Sequence, residues 1–144
     1  MLYTALTKKA MRIAFEAHKN QIDKSGIPYI YHPIHLAEQM VDEATTCVAL
    51  LHDVIEDTDM TFEQLQAEGF TPEMITALRL MTHDESVPYM DYVSEIQKNP
   101  IAAKVKLADL KHNSDLTRLD YVDEKALIRV EKYKKAIELL TNSL

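Results

Sequence analysis

Apolar residues recur at helical spacing along most of this chain. Leu6, Ala10, Ile13, Ala14 and Ala17 share one face of a stretch covering about residues 3–20, with Lys8, Lys9, Arg12 and Glu16 elsewhere. Ile34, Leu36, Ala37, Met40 and Val41 mark a second helix, with Pro33 suited to its first position. A central helix is expected from about residue 45 to residue 56. Thr61-Phe62-Glu63-Gln64 has capping-box form and starts a short helix that Gly69 can end. Thr71 and Pro72 open another, and Asn99-Pro100 opens one reaching Asn113. The segment 88–98 lies between them as a further helix. A final helix, capped within 120–123, carries the stripe Ala126, Val130, Tyr133, Ile137 and Leu140. Residues 21–33 break the pattern with Gly26, Pro28 and Pro33 and read as an ordered loop. In it His32 precedes proline and is expected to be extended. Alternating strand-type runs are absent. The pattern predicts an all-α, single-domain bundle of about seven helices over residues 1–144.

The central stretch is the least ordinary part. Leu50-Leu51-His52-Asp53-Val54-Ile55-Glu56-Asp57 sets an apolar run against an imidazole and three carboxylates. At roughly 100° per residue, His52 stacks over Glu56 and Asp53 over Asp57. Three like charges within about one turn are unfavourable unless a cation lies between them. His32, His52, Asp53 and Asp109 come from three separate segments, and neutral imidazole with carboxylate suits Mn, Fe, Zn or Mg.

Composition narrows the partners. Net charge is −7, which repels a nucleic-acid backbone, so a phosphorylated substrate needs a local cation. No basic-then-apolar leader and no apolar run of about 20 residues is visible, so a cytoplasmic protein without membrane contact is expected. A homo-oligomer is compatible with the sequence. Cys47 is the one cysteine and reads as a small buried hydrophobe.

Three motifs together carry a resemblance: "YIYHPI", "ALLHDVIEDT" and "VKLADLKHN". They resemble the HD-domain metal phosphohydrolases, and within them the (p)ppGpp hydrolase domain of the Rel/Spo family and its small stand-alone members. The resemblance runs from about the first helix to Asn113 and implies an HD-type helical bundle. It implies that His32, His52, Asp53 and Asp109 hold a divalent metal, manganese above the alternatives Fe, Zn, Co or Mg. It assigns Glu56 and Asp57 to water activation and proton transfer, and Lys24 and Asn113 to the nucleotide. The reaction implied is removal of a 3′-pyrophosphate. Bound metal would lower the pKa of water and offset phosphate charge. Two positions depart from the family pattern. Asp23 stands where a basic residue helps hold guanine, and Leu110 where arginine is usual. Two other readings therefore stay open: hydrolysis of a different nucleotide or phosphoester, and a non-catalytic metal- or nucleotide-binding module.

The remaining polar residues have plainer expectations. His112 projects onto the apolar side of its helix and reads as a buried, satisfied histidine. His18 and His83 read as surface or cap residues, and His35 as solvent-facing or at the core rim. Arg118 and Lys106 read as structural or solvated as readily as phosphate-facing. Met74, Met81 and Met90 read as core filler.

Overall fold

The computed structural model describes residues 1–142. Their order is α1 (Ala5–His18), α2 (Tyr31–Glu38), α3 (Glu43–Leu51), α4 (Val54–Asp57), α5 (Phe62–Ala67), α6 (Pro72–Met81), α7 (Tyr89–Gln97), α8 (Pro100–Asn113) and α9 (Glu124–Thr141). A 3₁₀ turn, Leu116–Arg118, links α8 to α9. Among the described residues the only β-type pairing is an isolated bridge between Ile22 and Pro28.

Local chemistry starts most helices where the sequence marks them. The Thr61 hydroxyl accepts from Gln64 N, and the Gln64 side chain accepts from Thr61 N, completing the capping box of α5. Gly69 follows α5 with a φ of 103°, a conformation in which any other residue is strained. Thr71 caps α6 ahead of Pro72, Asn99 caps α8 ahead of Pro100, and Asp123 caps α9.

Helix α3 is the axis of the bundle. Asp42 caps it by accepting from Thr45 N at 2.8 Å. Every residue from Thr45 to Leu51 is buried, because α1, α2, α6 and α8 all pack on it. A helix apolar on all sides needs such a sheath. Phe70, Leu36, Leu65, Leu78 and Leu110 fill the space around it.

The structure differs from the expected helices at two places, both beside the chemistry. The single central helix is instead two, and the total among described residues is nine rather than about seven. The break falls at His52 and Asp53; Asp53 has φ −106° and ψ 0°, which turns the chain before α4 begins. Hydrophobic spacing continues through Val54, so the pattern conceals this turn. Further upstream, His32 is helical rather than extended, and α2 begins two residues before Pro33. Pro33 is tolerated because first-turn N–H groups have no intrahelical acceptor. His32 N bonds to Tyr29 O at 3.0 Å, which starts the helix inside the former loop.

Candidate metal centre

Three helices bring the cluster together. His32 comes from the first turn of α2, His52 ends α3, and Asp109 lies in the last half of α8. All three are buried, and one ligand atom from each lies within 4.8 Å of the others. His32 Nε2 is 2.8 Å from Asp109 Oδ1, and His52 Nε2 is 3.5 Å from the same oxygen. Asp53, on the α3–α4 turn, lies beside this group rather than within it, with Oδ2 3.0 Å from His52 Nε2.

The orientation of each group has a local cause. His52 Nδ1 donates to Ala49 O at 2.7 Å, which turns Nε2 toward the carboxylates, where a proton or a cation can lie between them. That Nε2 is buried without a hydrogen-bond partner. An orphaned imidazole nitrogen between two carboxylates is what a divalent cation would satisfy, so the residues fit such an ion. Burial opposes charge on His52, but Asp53 and Asp109 outweigh it and hold the imidazole pKa well above 6.5. The cluster thus draws positive charge into its centre.

Asp109 is served on both oxygens. Lys106 Nζ donates to Oδ2 at 2.9 Å, while Asn113 Nδ2 donates to Oδ1 at 3.1 Å. Burial pushes this carboxyl up, but Lys106 and His32 prevail and hold it well below 3.8. Asp53 follows the same logic: burial is overcome by His52, with help from Tyr29, and the carboxyl sits at about 2. Tyr29 Oη donates a short hydrogen bond to Asp53 Oδ2.

The expected acidic pair is separated. Glu56 lines a cleft of about 250 Å³ with His52, Asp53, Lys106 and Asp109. His83 N donates to Glu56 Oε1 at 3.0 Å. Desolvation in the cleft and then Asp53 raise the Glu56 pKa above 4.5, despite that donor. Asp57 turns elsewhere, accepting from Gln21 Nε2 at 3.2 Å, with His18 Nδ1 3.9 Å away. Lys24 and Asn113 both line an adjoining cavity of about 340 Å³, which His32 and Arg118 also border. Asn113 borders both spaces and so stands where they meet.

The two departures from the family pattern also have places. Asp23 Oδ1 accepts from Ser25 N at 2.8 Å and Ser25 Oγ at 2.5 Å, shaping the loop that Gly26 turns with φ 84°. Its Oδ2 pairs with Arg118 Nη2 at 3.0 Å. The acid therefore reaches the cavity already matched by a guanidinium. Leu110 is 1% exposed and belongs to the core.

Two histidines behave otherwise than expected. His18 is fully buried, its Nδ1 2.9 Å from Gln21 Oε1, because the loop after α1 folds back over it. His112 is half-buried, and its Nδ1 is 2.7 Å from His32 Nδ1. Burial and then Arg118 push its pKa down to about 4. No local signal in the sequence marks Tyr29, since its partner Asp53 is 24 residues away.

A helical bundle that brings buried imidazoles and a carboxylate together in this way defines a candidate divalent-metal site. The HD-domain family profile matches residues 10–87, and the chain belongs to that family. It is 36% identical over 129 residues to a guanosine-3′,5′-bis(diphosphate) 3′-pyrophosphohydrolase of Danio rerio, covering 80% of this chain and 71% of that protein. It is 34% identical to the enzyme of that name from Aquifex aeolicus, covering 89% of this chain but 19% of the relative. A GTP pyrophosphokinase of Myxococcus xanthus is likewise 34% identical, with 87% and 18% covered. The chain therefore spans less than a fifth of these two longer relatives. The solved structure of a metazoan SpoT ortholog, described as hydrolysing ppGpp, superposes with a TM-score of 0.72 at 25% identity. That match covers 99% of this chain and 87% of the other. Among the described residues no helix is long and apolar enough to cross a membrane.

Proposed function

We propose that this protein hydrolyses guanosine 3′,5′-bis(diphosphate), or a closely related nucleotide, by removing the 3′-pyrophosphate. The observation that carries the reading is the His32–His52–Asp109 cluster, opening into a cleft that also holds Glu56. In this reading residues 1–144 act as one HD-type unit in the cytoplasm.

His32, His52, Asp53 and Asp109 hold a divalent ion, with manganese the proposed occupant. Such an ion supplies Lewis acidity toward water and phosphate oxygens. Glu56 is the proton acceptor from the attacking water. Its raised pKa suits proton exchange closer to neutral pH than an ordinary glutamate allows. Lys106 keeps Asp109 ionised and oriented. Asp57 holds Gln21 at the base of the loop. Lys24 and Asn113 contact the nucleotide in the adjoining cavity. Arg118 offsets the charge of Asp23 there, so an anionic ligand does not meet a bare carboxylate.

The Asp23 substitution also supports a different nucleotide as substrate. A screen of metal-supplemented protein across nucleotide 3′- and 5′-phosphates tests both readings. Guanosine 3′,5′-bis(diphosphate) as the best substrate by a wide margin supports the first. Preference for another phosphoester selects the second, and no turnover with Mn, Fe, Co or Mg rejects both.

A further inference from the structure

We propose that His112 is a positioning residue for the metal centre, holding the His32 ring so that Nε2 points into the cluster. The inference rests on the reading of His32 as a metal ligand. The two Nδ1 atoms are 2.7 Å apart, and the ring planes differ by 7°. Two nearly parallel imidazoles at that separation share one proton along one axis. With His32 Nε2 given to the cluster, its Nδ1–H is the donor and His112 Nδ1 the acceptor. Rotation of the His32 ring by half a turn would break this bond and the Nε2 contact to Asp109 Oδ1 at 2.8 Å together.

His112 is itself held from two sides. The ring of His35 lies against it, with centroids 4.2 Å apart. Its carbonyl accepts from Arg118 Nη1 at 2.9 Å, and Arg118 Nη2 reaches Asp23 Oδ2 at 3.0 Å. A chain of polar contacts thus runs from the 21–28 loop through Arg118 and His112 to His32. Outer partners of this kind fix the ring and tautomer of a ligating histidine, and their loss typically weakens metal binding by about 10–100-fold.

Two substitutions separate an acceptor from a mere filler. His112→Phe keeps a ring of similar size and removes the acceptor. His112→Asn loses the ring but places a carbonyl oxygen near the position of Nδ1. Mn²⁺ affinity by equilibrium dialysis is the readout, with thermal unfolding of metal-free protein as the folding control. The expected result is affinity about 10–100-fold weaker in the Phe variant, largely restored in the Asn variant, at similar metal-free stability. Wild-type affinity in the Phe variant, or equal loss in both, would overturn the proposal. Should the Phe variant fail to fold, His112→Leu takes its place under the same criteria. Wild-type protein that binds no Mn²⁺ would instead overturn the metal-site reading, and this inference with it.

Discussion

Replacing Glu56 by glutamine should remove catalysis and spare almost everything else. Among the described residues its side chain takes part in one hydrogen bond, accepted by Oε1 from His83 N at 3.0 Å. Glutamine keeps an oxygen for that bond, and the residue is exposed, so no buried polar group is stranded. The stability change should stay within about 0.5 kcal/mol, the range for ordinary surface substitutions. Glutamine cannot accept a proton from water. General-base contributions are typically about 10²–10⁴-fold, equivalent to roughly 2.7–5.4 kcal/mol in the barrier. Steady-state pyrophosphate release should therefore show kcat down by about 10²–10⁴-fold, with KM and bound metal near wild type. Asp57→Asn should cost far less, because Asp57 faces Gln21 and not the cleft. A Glu56→Gln enzyme within a few-fold of wild type, with the loss appearing in Asp57→Asn, would refute the assignment.

Other outcomes follow from the same geometry. His52→Ala or Asp109→Ala should lose the metal on dialysis, measured by elemental analysis; unchanged metal content would contradict the cluster. Burial opposes ionisation of Asp23, but Ser25, Ile27 and Arg118 prevail and hold its pKa below 3.8. Its stabilising contribution is therefore complete above 3.8 and is lost as pH falls through the lower folded value. Asp23→Asn should flatten the acid limb of an unfolding-versus-pH curve, and an unaltered limb would show that the ionised Asp23, with its Ser25, Ile27 and Arg118 partners, contributes nothing. Leu50 is 0% exposed on the central helix, so Leu50→Ala should cost about 2–5 kcal/mol in urea unfolding.

The helix ends were legible because capping is local chemistry. Thr61 with Gln64, Thr71 with Pro72, and Asn99 with Pro100 each act within a few residues of themselves. The buried stripe of α9 was legible for the same reason, with Ala126, Val130 and Leu140 buried as the spacing predicts. The break between α3 and α4 was not, since Val54 and Ile55 sustain the apolar period across it. The residues of the cluster could be named from three motifs, but their supporting shell could not. Tyr29 finds Asp53 across 24 residues and His112 finds His32 across 80, distances over which no periodicity speaks. Lys106 was nearer to hand, three positions before Asp109 on one helix, and the structure makes that neighbour an ion pair.

The arrangement also accounts for the departure at Asp23. An acid beside a cavity proposed to take an anionic nucleotide would be costly alone. Here three donors from Ser25 and Ile27 fix one oxygen, and Arg118 neutralises the other. Arg118 sits 95 residues away, so only the folded chain reveals the pairing.

The most direct test of pyrophosphate removal at this site is product analysis with Mn²⁺-loaded protein and guanosine 3′,5′-bis(diphosphate). Chromatography of the nucleotide and a pyrophosphate assay would be run on wild type and Asp109→Ala in parallel. One pyrophosphate should be released per guanosine 5′-diphosphate formed, with no turnover in the variant. Stepwise release of single phosphates, or equal turnover in both proteins, would contradict it.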